Sequence, residues 1–165
     1  MPIRLTYTDN NIGRISVSMN VKHQTTKIMT PIKMKFDTGS DFTTISQDDL
    51  YDLGYDYSYL KTRPYYQLPP SAAASSLKVP LQHLNGVDIQ LDNQHISNCV
   101  IYFALDCGLR SLLGADILKY FNHNINRDDC YIDLSWKKQI TKGISKKSET
   151  DMLYIQQSDL DILSK

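Results

Sequence analysis

Apolar and polar residues alternate without a break along Ile15-Ser16-Val17-Ser18-Met19-Asn20-Val21, the period-two pattern of a strand with one buried face. Ile32, Met34 and Phe36 repeat it and deliver the chain to Asp37. The polar stretch from Lys22 to Lys27 suits a hairpin connection, although it has no glycine to set the turn type. Thr43-Thr44-Ile45 is a short β-branched segment. After it the pattern becomes helical. Ser46 stands as N-cap, Asp48 and Asp49 fall in the first turn, Leu50 and Leu53 form the buried stripe, and Gly54 stops the helix after two turns.

From Tyr55 to Ser76 the chain is rich in Tyr, Pro and small residues, and Pro64, Pro69 and Pro70 exclude a long helix. An exposed hairpin or loop is expected there. Alternation returns at Val87, Ile89 and Leu91, with Asp92-Asn93-Gln94 as a turn. Cys99 to Leu105 is a continuous apolar run of strand length, which predicts a strand covered on both faces. Asp106-Cys107-Gly108 reads as a turn, Ala115 to Phe121 as a short helix, and Cys130 to Trp136 as a last strand. Beyond Trp136, lysines, serines and Gly143 suggest a linker and a C-terminal appendage with some helical spacing from Met152 to Leu163. The expected organisation is a domain over 1–136 and a polar appendage over 137–165. The fold class is all-β with two short helices.

Composition narrows the function. Lys plus Arg and Asp plus Glu number 18 each, and a chain without basic excess argues against a nucleic-acid partner. The three cysteines have no CxxC spacing, so neither a disulfide framework nor a zinc knuckle is expected, and Cys99 reads as a small buried hydrophobe. The four histidines also lack ligand spacing and fall in polar or edge segments, so they read as surface residues with no metal and no cofactor. No signal-type or 18-residue apolar stretch occurs, which leads to the expectation of a soluble, reduced, cytoplasmic protein without a membrane partner.

The chemistry is carried by Asp37-Thr38-Gly39 at the end of an alternating strand. Peptide hydrolysis by carboxylates needs two of them sharing one proton. Like charges about 3 Å apart cannot both ionise cheaply, so one serves as base and the other as acid. Alone, the tripeptide is also an ordinary turn. Its context is more specific: Ser40-Asp41-Phe42-Thr43-Thr44-Ile45 and a capped helix follow, and far downstream Leu112-Leu113-Gly114-Ala115-Asp116-Ile117-Leu118 leads into Phe121. In these two motifs the sequence resembles the retropepsin-like aspartic proteases, over Ile15 to Trp136, about three quarters of the chain.

The resemblance implies a closed acid-protease barrel and an endopeptidase acting on protein or peptide substrates. Asp37 would be the catalytic carboxylate, Thr38 the clasp between two active-site loops, and Gly39 a backbone contact to substrate. Ser40 and Asp41 would meet the substrate beside the loop. Leu113 and Gly114 would brace it from behind. Ala72, Ala73 and Ala74, within Ser71 to Ser76, would form the flap tip. Only one Asp-Thr-Gly is present, and family members with both motifs in one chain are about twice as long. A homodimer with the site on its two-fold axis is therefore expected.

Three positions depart from the family pattern. The expected flap has no glycine, Ala115 stands where an arginine is common, so that Asp116 is expected to cap the helix, and Ser40 replaces an alanine. A Ser40 hydroxyl donating to Asp37 would stabilise the charged carboxylate, and an acidic activity optimum is expected. Tyr65 and Tyr66 are candidates for flap aromatics or for ordinary packing. Two other readings remain: a catalytically silent retropepsin-like module that dimerises and binds peptides, and an unrelated β-barrel binding protein.

Overall fold

A computed structural model of the chain describes residues 3–9, 14–66 and 80–137, together with the strand backbone at 144–146 and 152–155. The described chain is mainly β. Ile3–Asp9 (β1), Ile15–Lys22 (β2), Met29–Phe36 (β3), Gln82–Leu91 (β4), Gln94–Phe103 (β5), Leu112–Leu113 (β6), Phe121–Asn126 (β7), Tyr131–Trp136 (β8), Ile144–Lys146 (β9) and Met152–Ile155 (β10) are its strands. Three short helices interrupt them: Gln47–Leu53 (α1), Tyr57–Leu60 (α2) and Ala115–Leu118 (α3).

β2 and β3 form the antiparallel hairpin that the alternation predicts. Val17 faces Met34 and Met19 faces Ile32 across it, and all four side chains are buried. The connection needs no glycine. Lys27 takes the left-handed turn position at φ 62°, while the His23 Nδ1 accepts the Thr25 and Thr26 N–H groups at 3.0 and 3.1 Å. His23 is thereby buried and stacked on Tyr55, with ring centroids 4.2 Å apart. The expectation of four surface histidines fails here because the ring replaces a backbone turn.

The strands are ordered β7-β8-β1-β2-β4-β5-β10-β9, with β3 pairing β2 and β6. β5 is buried without a break from Cys99 to Phe103, as its continuous apolar run predicts. α1 also follows the sequence: the Ser46 hydroxyl accepts the Asp49 N–H, Gly54 ends the helix at φ 107°, and Leu50 and Leu53 point into the core. α2, capped by Asp56, and the strands β1 and β7 go beyond the elements predicted. Between Leu118 and Phe121 the predicted helix gives way to β7, whose pairing with β8 sets Phe121 opposite Trp136.

Near the C-terminus, β10 is extended where helical spacing was expected. It pairs parallel to β5, Met152 opposite His95, and antiparallel to β9. The segments on either side of 67–79 pair with each other: Tyr66 N–H donates to Leu81 O and His83 N–H to Pro64 O. That is the base of the expected hairpin. Its tip, with Ala72, Ala73 and Ala74, lies outside the described residues.

Candidate active site

Asp37 is delivered by β3 and held by a segment far from it in sequence. β3 runs parallel to β6, with Lys35 opposite Leu112 and Phe36 opposite Leu113. The Asp37 N–H donates to the Leu113 carbonyl at 3.0 Å. Past Asp37 the chain turns sharply: Ser40 N–H donates to Asp37 O at 3.2 Å, and Gly39 N–H donates to Asp37 Oδ1 at 3.0 Å. One carboxylate oxygen is thus fixed by the loop's own backbone. Asp37 is 28% exposed, while Thr38, Gly39 and Asp41 are exposed.

Gly114 forms the floor of this loop. A Cβ there would lie 2.4 Å from Phe42 O and 2.9 Å from Ser40 O, far inside contact distance, so any side chain would force the two backbones apart. The approach is used: Ala115 N–H donates to Ser40 O at 2.7 Å. Gly39 differs. It does not adopt positive φ, and a Cβ would meet nothing nearer than Asp37 Oδ1 at 3.4 Å.

A search of solved structures finds a similar fold in a known protein. The crystal structure of a retropepsin-like aspartic protease from Rickettsia conorii superposes with a TM-score of 0.55, covering 82% of this chain and 90% of that one at 18% identity. The fold is retropepsin-like. No family model matches the chain, and no curated protein matches it.

Within this retropepsin-like fold, the loop and its floor are tied together by a buried carboxylate. Asp116 Oδ1 accepts the Thr43 hydroxyl at 2.6 Å and the Ile117 N–H at 2.9 Å, and Oδ2 accepts the Thr43 N–H at 3.0 Å. The Thr43 hydroxyl in turn accepts the Gly114 N–H at 3.0 Å. The N-cap of α3 is Gly114, so Asp116 acts from inside the first turn, gripping Thr43, where a cap was expected. Burial pushes its carboxyl up to about 6, against the opposing pull of the three donors.

The hydroxyl of Ser40 donates to Phe42 O at 3.0 Å, which corrects the expected bond to Asp37. A cation approaches Asp37 instead: Lys35 Nζ lies 3.3 Å from Oδ2. Behind the loop, Phe42, Tyr66 and Tyr102 form a triangle with ring centroids 4.8 to 5.6 Å apart. Tyr66 thus packs under the loop, while Tyr65 is exposed.

Of the residues singled out in the sequence, Asp37, Thr38, Gly39, Ser40 and Asp41 share one loop, and Leu113 and Gly114 lie against it. Lys35 and Thr43 were missed. Strand parity holds a signal for the first, since Lys35 and Asp37 are two apart and share a face. For the second, the signal is Asp116 itself: an acid inside an apolar helix start needs donors, and a hydroxyl-bearing β-branched pair follows the Asp37 loop. Among the described residues no cluster of His, Cys, Asp or Glu is arranged to hold a metal, and no helix is long and apolar enough to cross a membrane.

Proposed function

We propose that the chain is an aspartic endopeptidase that works as a C2 homodimer, each copy supplying one Asp37. The observation that supports this best is the Asp37 loop: its carboxylate is half-open to solvent, one oxygen is held by the Gly39 N–H, and the loop rests on Gly114. A pre-set carboxylate spends no reorganisation when charge moves. The exposed Thr38 and Gly39 beside it offer a backbone and a hydroxyl to a second copy and to a peptide.

In the dimer, two Asp37 carboxylates would face each other and share a proton. The ionised one takes a proton from a water molecule as its oxygen attacks the scissile carbonyl. The protonated one donates to the carbonyl oxygen, and the tetrahedral diol collapses as the leaving nitrogen takes a proton from the pair. No covalent enzyme intermediate forms. The two apparent ionisations belong to the pair as a whole.

A second reading has its own observation. Lys35 Nζ lies 3.3 Å from Asp37 Oδ2 and balances its charge, which favours a silent module that dimerises and binds peptides. Asp37→Asn decides between the two. For the protease, cleavage of a peptide library falls at least about a thousandfold while the dimer and fold persist, and a statine-type transition-state mimic inhibits the wild type. A clearly dimeric wild type that cleaves nothing from about pH 3 to pH 8 selects the silent module.

A further inference from the structure

Beside Asp37 lies a groove of about 480 Å³ with an excess of positive charge. Its floor is the outer face of the β2–β3 hairpin. Lys33, Lys35 and Asp37 alternate onto that face by the period of a strand, and Ser16 sits directly opposite Lys35. Arg14 lines the same end of the floor, and Arg110 closes the groove from the loop before β6. Asp37 is not itself a wall, but Lys35 belongs to both: it lines the groove and reaches Asp37 Oδ2 at 3.3 Å.

The acids present do not cancel this charge. Arg14, Lys33, Lys35 and Arg110 line the groove with Asp48 and Asp49, and Lys35 also pairs with Asp37 outside it. Asp49 is engaged within the wall, where its Oδ2 accepts the Ser111 hydroxyl at 2.5 Å and that same oxygen of Ser111 accepts the Ser46 N–H at 2.9 Å. Neither Lys33 nor Arg110 has an ion-pair partner among the described residues. A half-enclosed basic groove opening beside a carboxylate that acts on peptides is suited to an anionic side chain. It repels lysine and arginine, and it offers an apolar side chain little but the stems of its cations.

We propose that this groove is a specificity pocket for an acidic side chain, Asp or Glu, of a peptide lying across Asp37. The proposal rests on the reading of Asp37 as the peptide-processing site. It makes Arg110 and Lys33 the residues that choose the substrate, and Lys35 the link between recognition and chemistry. With an acidic side chain in the groove, Lys35 gains a second anion to pair with, and Asp37 is freed to meet its counterpart.

The test uses the full-length chain and pairs of peptides differing only in Glu or Gln at one position. Binding is measured first on Asp37→Asn, where cleavage cannot interfere. A Glu peptide is expected to bind about five- to tenfold more tightly than its Gln twin at low salt, with the ratio falling as salt rises. Lys33→Glu and Arg110→Glu should each bring that ratio to one or below. Wild-type kcat/KM for the same twins should show the same preference. Equal binding of Glu and Gln peptides at every position overturns the proposal, as does a preference untouched by both charge reversals. A Glu preference in binding with no cleavage by the wild type keeps the pocket and removes the protease.

Discussion

At the scale of single residues, Asp116 carries the clearest consequence of pH. Its folded carboxyl titrates near 6 against 3.8 for the free group, so the folded protein holds that proton more tightly than the unfolded chain. The sign follows by linkage. The contribution of this group to stability is full below about pH 4 and is lost as pH rises through 6, an effect of about 3 kcal/mol at roughly 1.4 kcal/mol for each pH unit. Asp133 is shifted in the opposite sense by its hydrogen bond to Arg4, so the measurement is a difference. Urea midpoints of wild type and Asp116→Asn, taken from pH 4 to pH 7, should converge with rising pH if Asn starts lower. The variant keeps two of the three acceptor contacts but carries no buried charge. A constant gap would assign the cost to hydrogen bonding alone. The expected acidic activity optimum would now rest on the shared proton of the proposed Asp37 pair, since Ser40 turns its hydroxyl to Phe42.

At the scale of elements, the β6–α3 junction determines whether the Asp37 loop has a shape at all. Gly114→Ala places a methyl 2.4 Å from Phe42 O and should cost about 2–3 kcal/mol, read as a lower urea midpoint. Gly39→Ala meets only Asp37 Oδ1 at 3.4 Å and needs no positive φ. It should lie within about 1 kcal/mol of wild type, yet it sets a methyl where a peptide would approach. Equal destabilisation by the two would show that Gly114 is not the floor.

The same elements show what can be read from the sequence. The β2–β3 hairpin, α1 with both caps, the doubly covered β5 and the Asp37 loop with its downstream partner were all legible, because each rests on local periodicity, a cap residue or a motif. The turn at His23 was not, since a ring substituting for a glycine turn leaves no pattern. α2 hides within a Tyr-rich stretch, where only Asp56 at its N-cap marks it. β1 and β7 depend on pairing with β8, and β10 on pairing with β5. Such strands are decided by neighbours distant in sequence rather than by their own residues.

At the scale of the whole molecule, the proposed homodimer, with one Asp-Thr-Gly per chain, would make activity a property of concentration. If two copies are required, initial rates at high dilution should rise with the square of protein concentration and become linear once the dimer is saturated. A rate linear throughout would mean that one chain suffices. The order of assembly within each chain matters as well. The bonds from Asp37 to Leu113, from Thr44 to Leu112 and from Ala115 to Ser40 close a loop that spans both long strands of the central hairpin, β4 and β5. Long-range closures come late because their entropy must be met before any contact rewards it. The Asp37 carboxylate therefore emerges early in synthesis but acquires its geometry only after residues 112–118 have docked, so a chain cut short before Gly114 carries Asp37 as an ordinary surface acid.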